Sequence, residues 1–314
     1  MIGSPAPRPR RRGARDWAES RPPRWLWPAL AAPGVAWLVV LFAVPFYAVI
    51  ALAAGGQDPI FGDATAEWNP LGWNLSTIGD AFSGVFPGGT QWGPMGRTFV
   101  YVALAVALCF VLGFPVAYYV ARFGGRRKGL LLALLLAPFW ISYLMRMLAW
   151  VNLLQPDGYV NDALDPLPGF AGVNWLDGRW STLVVGLTYG YIPFFILPLY
   201  AALDRNDTRL LEASRDLGVG PIRTFLHVTL PMSRQGMLAA AVITALPMFG
   251  DYYTQDLLSA SPRTSMIGNQ INLFLRQGSG SQFGSALVLV LSCLLAVLMA
   301  YYLWSTNVAA RDVR

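Results

Sequence analysis

Six apolar stretches dominate the sequence, at 28–53, 96–121, 129–154, 180–203, 236–256 and 283–306. A bilayer's hydrocarbon is roughly 30 Å thick, so about 20 helical residues cross it, and each stretch is long enough. With no water at that depth, backbone N–H and C=O groups must pair within the segment, which a helix achieves. The reading is an all-α, multi-pass membrane protein with six transmembrane helices. Composition agrees: 55% of the 314 residues are hydrophobic and 13% charged, about half the charge of an average soluble domain. The fifth stretch is the least regular, because it ends in the polar run FGDYYTQD. Only RFGGRRKG separates the second from the third, a turn that makes them antiparallel neighbours.

Basic residues set the orientation of such a bundle. With the N-terminus inside, all but five of the 23 basic residues fall on the cytoplasmic side; the five are Arg97, Arg146, Arg179, Arg263 and Arg276. Both termini are therefore expected in the cytoplasm. Residues 1–25 read as an Arg/Pro-rich disordered tail held near anionic headgroups. Residues 26–306 form the transmembrane domain, 204–235 a cytoplasmic loop within it, and 307–314 a short cytoplasmic end. The Arg-rich start and ALAAGG at 51–56 imitate a cleaved secretory signal, but the apolar run exceeds the usual core of about 7–15 residues. The outer pieces are 54–95, 155–179 and 257–282. The first holds one short amphipathic candidate, NLSTIGDAF at 74–82.

Several chemistries lack their residues. No Gly-x4-Gly-Lys-Ser/Thr loop is present, so ATP binding by a P-loop is not expected. His227 is the only histidine, which argues against a Ser–His protease and reads as an interface residue. Cys109 and Cys293 sit in apolar runs and read as small buried residues, with no metal spacing and no disulfide framework. The net charge of +6 comes from topologically sorted arginines, so no nucleic-acid partner and no cofactor are expected. Asn69-Pro70 has no repeat, unlike a water channel.

Pro45, Pro115, Pro138, Pro193, Pro198 and Pro247 lie in or near the spans. Each removes a backbone donor and can kink a helix. Arg146 falls inside the third span and Asp251 near the outer end of the fifth. Charges there cost about 2.5–3.5 kcal/mol at the helix centre and face the bundle interior or water. By residue count the two reach similar depths. Three readings stay open: an Arg146–Asp251 pair or separate pairs that hold the bundle, residues that line a solute path, or side chains that snorkel to the outer interface. Tyr252, Trp140 and Trp150 would add cation–π contacts to such a path, and equally fit an interfacial aromatic belt.

The polar island LLEASRDLGVGPIRTFLHVTLP, residues 210–231, lies between the fourth and fifth stretches. It reads as two short helices around a glycine hinge. Asp207 suits the first cap, Gly218 the stop and Pro221 the second start. Leu210, Ala213, Ser214 and Leu217 share one face; Ile222, Phe225 and Leu226 make the other apolar side. TLP at 229–231 is expected to end the second helix. Pieces this short are not stable alone and must dock on something: a protein partner, the membrane surface or the bundle's own ends.

The spacing Glu212-Ala213-Ser214, three residues, Gly218, nine residues, Val228, one residue, Leu230-Pro231 resembles the EAA loop of bacterial ABC-importer permeases. Ser214 and Val228 stand where that pattern has Ala and Ile. GFPVAYYVARF at 113–123, APFWISYLMRMLAW at 137–150, YGYIPFFILPLYAALDRND at 189–207 and MIGNQI at 266–271 resemble the spermidine/putrescine-type permeases, the first subunit more than the second. The chain departs at Leu257-Leu258-Ser259-Ala260, where that family has a Gly-rich LLGG-like stretch. The resemblance implies a type I ABC-importer permease fold in a bacterial cytoplasmic (inner) membrane. It implies partners: two ATP-binding ABC subunits, a second permease that completes the pore as a likeness of this one, an extracytoplasmic solute-binding protein, and membrane lipids. Glu212, Ala213, Ser214, Asp216, Gly218, Leu230 and Pro231 would couple the ATPase to a polyamine-like solute's passage. A permease for another small organic solute, and a stand-alone secondary transporter or channel, remain the alternatives.

Overall fold

A computed structural model of the chain describes residues 25–166, 172–206 and 208–311. The expected tail and the Asp207 cap lie outside them, apart from Trp25 of the tail. The chain divides into two compact units, one up to Ala48 and one from Val49.

The described part of the first unit is helical: α1 (Leu26–Leu38), a π turn (Val39–Ala43), then the start of α2 (Val44–Ala53). In that π turn the Val44 N–H donates five residues back, to Val39. Pro45 follows at once. A proline has no N–H for the carbonyl four residues earlier, and its ring crowds that carbonyl. Widening one turn relieves the crowding without breaking the helix.

The second unit opens with the end of α2 and a short antiparallel ribbon, β1 (Gly56–Gln57) on β2 (Ala64–Thr65). The Phe61 and Ile60 N–H groups both donate to Asp58, which holds its carboxyl below the usual carboxylate range. Helix α3 (Ser76–Gly84) follows. The core is built on α4 (Trp92–Phe123), α8 (Trp180–Arg205) and α11 (Leu230–Phe249), with α8 packed against both others. Ala105, Cys109, Leu187, Phe195 and Leu199 fill the space between them. Thr188 and Thr244 bond to carbonyls four residues back, at 2.8 and 2.6 Å. Their hydroxyls are thus satisfied inside an apolar bundle.

Between α4 and α8 run α5 (Lys128–Leu136), a 3-10 turn (Ala137–Trp140), α6 (Tyr143–Leu153) and α7 (Tyr159–Leu164). The expected single span at 129–154 is instead broken at Ile141-Ser142, with an 81° bend. Pro138 removes a donor in the 3-10 turn, and Ile141 is extended at ψ 141°.

After α8 come α9 (Thr208–Asp216), α10 (Pro221–Thr224), a second π turn (Phe225–Thr229) and α11. Here too the residue before proline, Leu230, donates five back, to Phe225. TLP therefore does not end the second helix. The path continues through Pro231, because the π turn absorbs the missing donor. The expected fifth span also changes: α11 stops at Phe249, Gly250 turns the chain, and α12 (Tyr253–Leu258) is separate. Helices α13 (Ile267–Arg276) and α14 (Ser281–Arg311) complete the unit. Cys293, expected to be buried, is exposed on α14.

By length and composition four described helical segments suffice to cross a membrane: Leu26–Ala53, Trp92–Phe123, Trp180–Arg205 and Gly278–Thr306. The bent pair makes a fifth if counted as one span.

Candidate functional site

Polar groups gather against the bundle in several places, and two of them hold residues singled out by the sequence. The first forms where the α5–α6 break meets α8 and α12. Asp251, only 6% exposed, follows Gly250 at the end of α11. Its carboxylate accepts from the Tyr143 hydroxyl at 2.8 Å, the Thr254 backbone N–H at 3.0 Å and the Thr254 hydroxyl at 2.6 Å. The Tyr191 hydroxyl lies against the same carboxylate. Buried charge is tolerated when several donors converge on it.

Tyr143 reaches Asp251 because α8 carries no side chain in its way. A Cβ on Gly190 would lie 2.7 Å from the Tyr143 ring, and one on Gly186 would lie 2.9 Å from Thr254 and 2.3 Å from Leu258. The spacing Gly186-x3-Gly190 thus opens a groove on α8 for α12 and the first residue of α6, the small-residue packing of membrane helices.

Arg146 does not pair with Asp251. Lys128 and Asp204 form an ion pair elsewhere in the bundle. The Arg146 guanidinium instead lies over the rings of Phe139 (4.5 Å), Tyr143 (5.5 Å) and Tyr189 (5.7 Å). Its Nε donates to the Ile141 carbonyl at 3.2 Å, freed by the helix break. Tyr143 therefore stands between the two charges, its face toward the cation and its hydroxyl on the anion. Depth along the chain had suggested direct contact; the bend interposes a ring.

The aromatic residues expected with these charges scatter. Trp140 is 83% exposed. Trp150 packs edge-on to Tyr189 at 5.4 Å and lines a 190 Å³ cavity with Leu154, Val160 and Trp175. Tyr252 stacks on Tyr253 at 4.2 Å. Tyr143, Tyr191, Thr254, Phe139 and Tyr189 were missed. Two signals were present in the sequence: Thr254 three residues after Asp251, a helix-capping spacing, and Gly186-x3-Gly190.

The second place is the elbow of α9 and α10. Gly218 takes φ +78°, the left-handed geometry that lets the chain reverse between the helices. Leu217 N–H returns to Ala213 and Val219 N–H to Ser214, both at 3.1 Å. The buried Ser214 hydroxyl bonds to Thr224 across the hinge at 3.0 Å and to the Leu211 carbonyl at 2.9 Å. Phe225 anchors the far side, edge-on to Phe114 (5.5 Å) and Tyr118 (5.6 Å) of α4. Leu230 packs on the core, while Pro231, Glu212, Ala213 and Asp216 face outward. Leu217 and Ile222 are 83% and 74% exposed. The elbow is held together inside by the Ser214–Thr224 bond, packed on α4 through Phe225, and presents both apolar and charged side chains outward.

The described chain is thus a bundle of apolar, proline-bearing helices, four of them long enough to cross a membrane, with a polar elbow between α8 and α11. Residues 110–314 match the model of a family described as binding-protein-dependent transport system inner membrane component, and the chain belongs to that family. It is 33% identical over 184 residues to the spermidine/putrescine transport system permease protein PotB of Haemophilus influenzae, covering 59% of this chain and 64% of that one. It is 31% identical over 173 residues to PotB of Escherichia coli K12, covering 55% and 62%. The chain thus spans a little under two thirds of these relatives' own length. A subunit in the crystal structure of a bacterial alginate ABC transporter, in complex with alginate pentasaccharide-bound periplasmic protein, shares the fold: TM-score 0.68, 18% identity, 88% of this chain and 92% of that chain.

Proposed function

We propose that the chain is a permease subunit of a binding-protein-dependent ABC importer. It supplies half of a pore, with six membrane crossings and both termini in the cytoplasm. The broken α5–α6 pair forms the third crossing and α11 with α12 the fifth. A second, similar permease completes the pore, and an extracytoplasmic solute-binding protein delivers cargo. Two separate ATPase subunits hydrolyse ATP and dock on the elbow. Residues 204–235 are the coupling segment in the cytoplasmic membrane of a bacterium.

The observation that carries this reading is the elbow's division of labour. Leu217 and Ile222 offer an apolar surface, Glu212 and Asp216 offer charge, and Ser214–Thr224 keeps the two helices together. Phe225 hands any displacement to α4, which packs along α8. ATPase closure would thereby rock the helices that line the pore. Similarity to two spermidine/putrescine permeases favours a polyamine-like solute. Asp251, Arg146, Tyr252, Trp140 and Trp150 are the residues proposed for its path, with Tyr143 added by its contact to Asp251.

The test is Gly218→Val in the assembled transporter. A β-branched residue at φ +78° costs about 1–2 kcal/mol, which tilts α9 against α10 without touching the spans. The expected result is normal membrane insertion, retained ATP hydrolysis and loss of solute uptake. Full coupling in this variant would refute the assignment of the elbow.

A further inference from the structure

Helix α3, in the first outer loop, divides its surface three ways. Projected at about 100° per residue, Ile78, Ala81, Gly84 and Val85 share one arc. Ala81, Gly84 and Val85 are buried, and Ile78 packs on the core. This arc faces α14, the helix's main partner. A second arc carries Ser76, Asp80 and Ser83, all exposed and polar. The third side, between the other two, carries Phe82, flanked by Leu75 just before the helix and Phe86 just past its end; the three are 60%, 55% and 49% exposed. Phe82 and Phe86 pack on each other at 5.0 Å. No charge interrupts this arc.

A helix with one face in water and one on its own protein needs only two kinds of surface. The third, apolar arc calls for a third environment. Its position identifies that environment. The end of α3 is tied to the start of α4 by the Gln91 N–H on the Gly84 carbonyl and the Met95 N–H on the Gln91 carbonyl, both at 2.9 Å. Trp92, Phe99 and Val100 are also exposed apolar residues, near the start of α4, one of the segments able to cross a membrane. Trp92 is at the head of that segment, where tryptophan marks the membrane–water interface.

We propose that α3 is an interfacial helix seated on the outer lipid leaflet. Leu75, Phe82 and Phe86 enter the headgroup–acyl boundary, Asp80 and Ser83 face water, and Ala81 and Val85 hold the helix to α14. The lipid belt around α4 extends without interruption onto α3. The outer loop is thereby fixed at a set height above the membrane. This inference rests on the proposed orientation, which puts α3 on the outer side, and on α4 as a span, but not on the transport role itself.

The test uses the full chain with Cys293→Ser, which leaves only the buried Cys109. Single cysteines at 75, 80, 82, 83 and 86 carry a spin label. The protein is placed in nanodiscs of phosphatidylethanolamine and phosphatidylglycerol. Collision rates are then read with oxygen, which partitions into hydrocarbon, and with a water-soluble nickel chelate. Labels at 75, 82 and 86 should show a severalfold higher oxygen-to-nickel ratio than labels at 80 and 83. Equal ratios at all five sites would place the apolar arc in water and overturn the proposal. So would loss of oxygen access at 82 and 86 when the same labels are read in the complex isolated from native membranes, because a protein would then cover the face.

Discussion

Gly190→Ala probes how tightly α6, α8 and α12 are locked together. The new Cβ would lie 2.7 Å from Tyr143 Cε2, 3.0 Å from its hydroxyl oxygen and 3.2 Å from Cζ. Carbon atoms sit comfortably about 3.5–4.0 Å apart, so the ring must retreat by most of an ångström. Tyr143 is the first residue of α6, fixed by the bend, and its hydroxyl holds the buried Asp251 carboxylate at 2.8 Å. Retreat stretches that bond. Losing one donor to a buried charge costs about 1–3 kcal/mol, and overpacking adds a cost of similar size. A helix otherwise gains up to about 1 kcal/mol from Gly to Ala, so the net loss should be about 1–5 kcal/mol. Reversible unfolding in mixed micelles, with Tyr143→Ala as the second arm, measures it. With the ring removed, Gly190→Ala should become neutral or stabilising. An equal cost in both backgrounds would refute the mechanism, because the clash would then not act through Tyr143.

Two further expectations concern the residues around α12. Ala260 sits just past the end of α12 at φ +44°, with its N–H on the Gln255 carbonyl, where a helix terminates most easily with glycine. The left-handed strain is about 1–2 kcal/mol for alanine, and glycine returns about 0.4–1 kcal/mol of it as unfolded-state entropy. Ala260→Gly should therefore stabilise by about 0.5–1 kcal/mol in the same unfolding assay; a lower stability would contradict it. Asp251→Asn keeps the shape of the junction and removes the charge. Uptake should fall while membrane assembly, read by detergent-resistant size-exclusion behaviour, stays intact; unimpaired uptake would remove Asp251 from the solute path.

The helical, membrane-spanning character of the chain was legible because it is a local property. A run of about twenty apolar residues has one low-energy answer in a bilayer, and neighbours hardly alter it. The elbow was legible for the same reason. Gly218 and Pro221 set backbone angles through their own covalent structure, so the hinge and second start follow from residue type. The three-way surface of α3 was visible only as an amphipathic hint, since the sequence does not say which apolar residues a neighbour will cover.

What the tertiary structure decided was everything that depends on where two helices meet. Proline alone does not say whether a helix stops, kinks or widens. At Pro138 the span breaks by 81°, while before Pro45 and Pro231 a π turn carries it on. At the π turns the residue before the proline donates its own N–H five residues back, whereas at the break the Ile141 carbonyl takes the Arg146 side chain instead. The partner of Asp251 was likewise set by the bend, which swings Tyr143 into the groove over Gly186 and Gly190 and turns Arg146 onto aromatic faces. Depth along a chain is additive and can be counted in the sequence. Contact between segments depends on their relative rotation and tilt, which only the packed bundle fixes.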